Sequence, residues 1–376
     1  MSKKAWIALA AAVVLLAVIL VLAIPGGKEH QALRLGATFP LTGDVASYGQ
    51  KAKRGIELAV ENQNARGGLL GRKVEVDFQD DRNDKKEAVS IVTRFVTIDR
   101  VPVIFGSAGS GCTLAIAPIA DRNKVVLISP ISSSSQLSTE RGPYFFRTCP
   151  ADDLQAEVLA AWVHEAGVKK VAVVYTNNSW GKPLAEGFEQ RFAKLGGEAA
   201  LSEGVAENTT DLRTVVAKLK DLPRLDAVVS PTYPKEGGVL VRQIKELGLK
   251  VPLFGGDNWG SPEFRTVAGD AAEGVLYTAP SDSKSPAHAD FAKQYEGKYG
   301  EQPDILSAYA YDAAMAVFKA IETCGSTDSE KIREALSKVS FTGVSGEIAF
   351  LSNGDLASQS IGRMTIKGGK PISANP

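Results

Sequence analysis

The sequence predicts an α/β protein made of two doubly wound parallel-sheet units, one after the other. Three observations carry that expectation. Short apolar runs alternate with helical segments along most of the chain, the signature of a parallel sheet with crossover helices. Several of those runs are apolar at every position, as strands buried on both faces must be. The strand–helix pattern also restarts near Pro150-Ala151-Asp152. With 376 residues the chain is long enough to build two cores.

In order, a first strand is expected over 33–39, ended by Pro40 and the turn residues Thr42, Gly43 and Asp44. A helix over 46–64 follows, with Ala52, Ile56, Ala59 and Val60 on one face, and Arg66-Gly67-Gly68 stops it. Residues 73–78 alternate as a second strand. A helix through Val96 comes next, capped by Asn83 or Asp84. Strands at 101–105 and 125–128 flank a helix over 112–122, and 144–147 is a further extended piece. After the restart, helices are expected at 152–166, from 182, from a cap at 208–211 to 219, and at 238–247. The strands between them fall at 170–175, 198–205, 226–230, 252–254 and 274–277. Helices over 287–299, 304–324 and 328–339 and a glycine-punctuated, strand-like tail over 341–367 complete the chain.

Two strand ends carry the best candidate site. Val103-Ile-Phe-Gly106 opens into Ser107-Ala-Gly-Ser-Gly-Cys-Thr113, and Val125-Val-Leu-Ile128 opens into Ser129-Pro-Ile-Ser-Ser-Ser-Ser135. Open α/β sheets bind ligands just outside the carboxyl ends of their strands. Gly106, Gly109 and Gly111 let backbone N–H groups come close to a ligand. The helix that follows offers free N–H donors and a partial positive charge to an anion. The loop has neither a Gly-Lys-Ser/Thr ending nor a dinucleotide glycine fingerprint, so one carboxylate fits better than a nucleotide. The same serines and glycines also serve as caps and turns, and these residues alone leave both roles open. Asp257, after Phe254-Gly-Gly, is placed either to meet an ammonium or to cap a turn. Tyr48, Trp180, Tyr233 and Trp259 follow strands and read either as pocket walls or as local packing.

Several classes are excluded. Acidic and basic residues balance at 43 each, which gives no support to nucleic-acid binding. The chain's three histidines, His30, His164 and His288, sit at no strand end, so a serine hydrolase lacks its partners. Cys112, Cys149 and Cys324 lie far apart and without nearby histidine, which argues against zinc. A Cys112–Cys149 bond stays open, and both thiols are expected reduced and buried. The acids Asp77, Asp80, Asp81 and Asp84 lack calcium-loop spacing. No catalytic constellation, metal or cofactor is expected. Ser2-Lys3-Lys4 followed by the apolar run 5–24 reads as an export segment over 1–27, either a cleaved signal or an uncleaved anchor.

With these residues laid out, the chain resembles the periplasmic substrate-binding proteins of branched-chain amino-acid ABC transporters, the leucine/isoleucine/valine-binding family with the type I periplasmic-binding fold. The resemblance runs from Leu33 to Lys367. In the first unit it rests on Leu35-Gly-Ala-Thr-Phe-Pro-Leu-Thr-Gly43, Gly55-Ile-Glu-Leu-Ala59, Asn64-Ala-Arg-Gly-Gly68, the Gly106–Thr113 loop, Ile128-Ser-Pro130 and Phe146-Arg-Thr148. In the second it rests on Trp180-Gly181, Arg242-Gln243, Ala268-Gly-Asp-Ala-Ala-Glu-Gly274 and Tyr309-Ala-Tyr-Asp-Ala-Ala314. It implies two lobes joined by three hinge crossovers: 33–149 with 278–344, and 150–277 with 345–373. It implies that Ser110, with Ala108 and Gly109, grips a ligand carboxylate, and that Ile131 and Ser133 add a carbonyl and a hydroxyl. Asp257 would meet the ligand's ammonium, and Tyr48, Trp180 and Tyr233 would wall the pocket. The function implied is non-enzymatic: a periplasmic, monomeric protein that captures a zwitterionic, apolar amino acid and hands it to a membrane permease. A sensor of the same fold, or a carrier of an amide or aromatic acid, is the alternative.

Overall fold

The computed structural model describes residues 31–280, 286–358 and 360–374. The expected export segment lies outside them. Among the described residues no helix is long and apolar enough to cross a membrane.

The first sheet holds β1 (Leu33–Phe39), β2 (Val74–Asp80), β3 (Val103–Gly106), β4 (Val126–Ser129) and β5 (Phe145–Arg147), parallel throughout in the order β2-β1-β3-β4-β5. Val103, Phe105, Val126 and Ile128 face one core, with the helices Ala46–Ala65 and Ile305–Cys324. Ile104 and Leu127 face the other, with the helices Lys85–Arg94 and Ser110–Arg122. All six are 0% exposed, which is why these runs are apolar at every position. Burial of each such side chain stabilises the fold by about 1.5–3 kcal/mol.

The second sheet repeats the plan with β6 (Lys170–Thr176), β7 (Glu198–Val205), β8 (Ala227–Ser230), β9 (Leu253–Gly255) and β10 (Leu276–Pro280). Their order, β7-β6-β8-β9-β10, matches the first sheet strand for strand. A two-stranded hairpin, β11 (Ser340–Thr342) with β12 (Glu347–Ala349), stands apart. The last strands, β13 (Ile361–Lys367) and β14 (Lys370–Ser373), join the second sheet antiparallel beside β10. The chain therefore crosses between lobes three times: after β5, after β10 and before β13.

The lobe boundaries move from where the resemblance put them. Thr278 and Ala279 still belong to β10 in the second sheet. Ile348, Phe350 and Leu356 pack into the first lobe's core, so the tail changes lobes only at β13. An ion pair holds it there. Arg147 of β5, 0% exposed at its side chain, meets Asp355 with Nε and Oδ1 2.8 Å apart. The Arg147 backbone N–H also donates to the Gly354 carbonyl at 3.0 Å.

Two helices start earlier than expected, at Ser110 instead of 112 and at Pro234 instead of 238. In the second case Gly237 and Gly238 lie inside the helix because nothing larger fits. An added Cβ would sit 2.4 Å from Trp259 Nε1 at the first and 2.7 Å from Val267 Cβ at the second. Of the expected cap at 208–211, Asp211 does serve the helix Arg213–Asp221: its Oδ1 accepts from the Arg213 N–H at 3.1 Å, while Leu212, directly before the helix, makes no side-chain cap.

Candidate functional site

In each sheet the chain leaves the first strand in opposite directions, which opens a crevice between β1 and β3 and another between β6 and β8. The first crevice is bordered by Tyr48, in the first turn of the helix Ala46–Ala65, and by Ala108 and Gly109 with Ser110 at the start of the helix Ser110–Arg122. The loops at the second carry Trp180 and Tyr233. The loops after β4 and β9 add Ile131, Ser133 and Asp257. All nine expected residues line one cleft between the lobes. It holds about 730 Å³ of empty space, its open mouth included.

The wall from the first lobe is braced from within. Ser107 Oγ donates to Asp81 Oδ2 at 2.6 Å, and Ser129 Oγ and Ser132 Oγ donate to the Ser107 carbonyl at 2.7 and 2.9 Å. Thr113 Oγ1 and Ser132 Oγ lie 2.6 Å apart. Arg147 Nη1 donates to the carbonyls of Ser133 and Ser134, both at 2.9 Å. Three of the hydroxyls in the two loops, those of Ser107, Ser129 and Ser132, are thus turned inward as structure. Ser110 and Ser133 face the cleft. Gly109 is the N-cap of the helix Ser110–Arg122, so the N–H of Ser110 lies at the cleft wall without an intrahelical acceptor. Gly106 is required by geometry: its φ is +135°, and a Cβ there would meet the Thr38 carbonyl oxygen at 2.1 Å.

The wall from the second lobe is aromatic and acidic. The Trp180 and Tyr233 rings stack with centroids 5.4 Å apart at 21°. The Asn178 side chain fixes Trp180 by accepting from the N–H groups of Trp180 and Gly181 at 3.0 and 2.8 Å. Trp259 points elsewhere. It is 0% exposed in the core, with Nε1 donating to Thr232 Oγ1 at 3.1 Å. Asp257 Oδ1 is buried without a hydrogen-bond partner. Burial pushes its carboxyl up to about 6, and a hydrogen bond from Gln155 opposes that.

The two walls touch. Tyr48 Oη donates to Asn258 Oδ1 at 2.6 Å, and Lys235 Nζ lies 3.6 Å from Asp44 Oδ2 at the rim. Tyr48 is therefore more than an apolar surface. Burial first, then the charge of Asp257, raises its hydroxyl well above the usual tyrosine range, so it stays a donor.

Sequence reading missed Asp152, Gln155, Asn258 and Tyr309, all of which line the cleft. Asp152 begins a helix, where an acid is ordinary, and only its burial marks it as different. It is 2% exposed, and neither carboxylate oxygen has a well-formed hydrogen bond. Burial pushes it up to about 8. The charge of Asp257 adds to that, while the Ser133 hydroxyl and Arg147 oppose it. No lysine, arginine or histidine lines the cleft among the described residues. Cys112 and Cys149 are free and buried, with burial pushing both thiols up to about 12. No cluster of metal-ligating side chains occurs among the described residues.

The cleft thus offers neutral donors on one side, acceptors with negative charge on the other, and apolar rings between. Comparison with known proteins shows the family. Residues 32–370 match the family described as "Periplasmic binding protein". The chain is 32% identical over 336 residues to the "Leu/Ile/Val-binding protein homolog 2" of Brucella abortus, covering 88% of this chain and 89% of that one. The crystal structure of the leucine-binding protein LivK of Thermotoga maritima superposes with a TM-score of 0.84 at 30% identity, over 91% of this chain and 97% of that one. That of the branched-chain amino-acid transporter substrate-binding protein LivJ of Streptococcus pneumoniae, in complex with isoleucine, gives 0.83 at 29%, over 91% and 98%.

Proposed function

Since the chain belongs to the periplasmic binding protein family, we propose that it captures a branched-chain or similarly apolar amino acid outside the cytoplasm and delivers it to an ABC transporter permease. The observation that carries this reading is the opposition of charge character across the cleft. Ser110 and the helix start behind it suit a carboxylate. Asp257, with an oxygen that no protein group satisfies, suits an ammonium. A zwitterion fills both, and an anion without an amine leaves Asp257 unpaired in a buried site. Ile131, Trp180, Tyr233 and Tyr309 bound the space left for an apolar side chain.

The protein binds as a monomer and changes nothing chemically. The ligand first meets the braced wall in the open form, and the lobes then close by bending at the three crossovers, a hinge motion of the kind known for periplasmic binding proteins. Closure is favoured because each lobe makes its own contacts with the ligand. The segment 1–27 supplies export, as a cleaved signal or as an anchor.

A thermal-shift screen tests the assignment. Leucine, isoleucine and valine at a hundredfold excess over Kd are expected to stabilise the protein by about 2.7 kcal/mol, and benzoate to leave it unmoved. A shift with benzoate and none with the amino acids would overturn the ligand class.

A further inference from the structure

We propose that Asp152 is the proton-exchanging partner of the ligand: its carboxyl is neutral in the empty cleft and becomes a carboxylate when the ligand's ammonium arrives, so that capture of one amino acid expels one proton. The proposal rests on the reading of the cleft as a zwitterion site and adds to it a second acid and a pH dependence.

The geometry carries it. Asp152 opens the helix Asp152–Glu165 at the first crossover between the lobes. Its backbone N–H donates to the Ser133 carbonyl at 2.9 Å. It is therefore tied to the ligand-facing loop of the first lobe, while its helix belongs to the second. Its side chain lines the same cleft as Asp257, and both carboxylates have buried oxygens without partners. The groups that face it are few. Asp257 approaches from the loop after β9, the Ser133 hydroxyl from the first lobe, Arg147 from β5, and Asp153 is its neighbour in the chain. Arg147, the one cation among them, is already spent on Asp355, the Ser133 and Ser134 carbonyls and Ser138 Oγ. Two carboxylates that share one cleft lined by no lysine, arginine or histidine among the described residues disfavour each other's ionisation, so the more deeply buried one keeps its proton. Asp152 is the more deeply buried of the two and has the higher proton affinity, about 8 against about 6 for Asp257.

An incoming ammonium changes that balance. It carries three N–H donors, and Asp257 alone is a poor match for all of them. A neutral Asp152 offers one acceptor and one donor that clashes with the ammonium. An ionised Asp152 offers acceptors only, and its place at a helix N-terminus favours the charge. The step balances simply. The Asp152 O–H bond breaks, the electron pair stays on the carboxylate, the proton leaves to water through the cleft mouth, and the ligand's ammonium keeps all its hydrogens.

The test is isothermal calorimetry with L-leucine on the wild-type protein in phosphate and in Tris at pH 7, where the difference in heat counts protons. About one proton is expected to leave per leucine bound, and affinity is expected to rise about tenfold per pH unit between pH 7 and 7.5, above the range where Asp257 itself takes up protons. Asp152→Asn is expected to weaken leucine binding at pH 7 and above, to abolish the release, and to flatten the pH profile of the binding that is left. Leucine binding by the wild type without proton release, or with the same release from Asp152→Asn, overturns the proposal and leaves the proposed function standing. Failure of leucine, isoleucine and valine to bind at pH 8 overturns both. If Asp152→Asn does not fold, the wild-type proton count decides alone.

Discussion

The two walls of the cleft spend their polar groups in different ways. On the first lobe, Ser107, Thr113, Ser129 and Ser132 bond to one another and to Asp81, and Arg147 clamps the serine loop from behind. That wall is braced before a ligand comes, with the buried Ser134 hydroxyl left without a partner. On the second lobe, Asp257 and the hinge residue Asp152 carry buried oxygens that the protein leaves unmatched. A satisfied surface can receive a ligand in the open state at little cost in reorganisation. An unsatisfied one gains most when the ligand completes it, and so drives closure. The same opposition assigns opposite signs to mutations on the two walls.

The largest effect is expected at the clamp. Arg147→Ala leaves Asp355 buried without its partner and frees the Ser133 and Ser134 carbonyls. Breaking a buried ion pair in this way costs about 3–5 kcal/mol. Urea unfolding of the empty protein should show that loss. A loss under 1 kcal/mol would mean that the first wall is not held from behind.

Asp257→Ala works the other way. Leucine affinity should fall by about 2–5 kcal/mol, roughly thirtyfold or more, since the ammonium loses its buried charge partner. The empty protein should be no less stable, because an unmatched carboxylate has gone. The sign with pH follows from the same groups. Both Asp152 and Asp257 have folded-state values raised above the ordinary aspartate value of 3.8, to about 8 and about 6. Between pH 4 and pH 8 the folded protein therefore holds protons that the unfolded chain has lost. Stability of the empty protein from these two groups is full below about pH 4 and declines as pH rises to about 8. Melting curves of wild type and Asp152→Asn across that range check it: the wild type should lose stability faster as pH rises. Parallel curves would count against a buried, neutral Asp152.

The first wall was the more legible of the two from sequence. Its residues follow apolar runs that are buried on both faces, and a run such as Val103–Phe105 announces both the strand and the loop at its end. Trp180 and Tyr233 were legible for the same reason, each lying between a strand and a helix, and Tyr48 follows a strand too but sits in the first turn of the helix Ala46–Ala65. Asp257 showed itself as a carboxylate at a strand end, though sequence alone left it between a ligand and a cap. Asp152, Gln155, Asn258 and Tyr309 had no such signal. An aspartate at a helix start and a glutamine one turn later are ordinary helix chemistry, and their meaning comes from burial at a crossover. The tail misled for a similar reason. Its lobe is decided by the Arg147–Asp355 pair, which joins residues 208 positions apart. The sequence pattern starts that helix at Gly238 and leaves Gly237 outside it, whereas the approach of Trp259 and Val267 makes both the tight part of a helix that begins at Pro234.

Ser110→Ala tests the first wall as a ligand partner. A hydrogen bond to a charged group contributes about 1.5–3 kcal/mol, so leucine affinity should fall by that amount in calorimetry. The empty protein should lose about 1 kcal/mol at most, through the 3.3 Å bond from the Ser134 N–H to Ser110 Oγ. An unchanged affinity would leave the carboxylate to backbone N–H groups alone.

The smallest effect is expected where the walls meet. Tyr48→Phe keeps the ring that lines the cleft and removes only the 2.6 Å hydrogen bond to Asn258 on the other lobe. That bond joins the lobes across the cleft and opens with them, so its loss should act on opening and not on encounter. The association rate should stay as it is and the dissociation rate should rise, by about 0.5–1.5 kcal/mol or roughly two- to tenfold. Stopped-flow measurement of both rates separates the two. A slower association with unchanged dissociation would place Tyr48 on the receiving wall alone, and the contact with Asn258 would then play no part in holding the lobes shut.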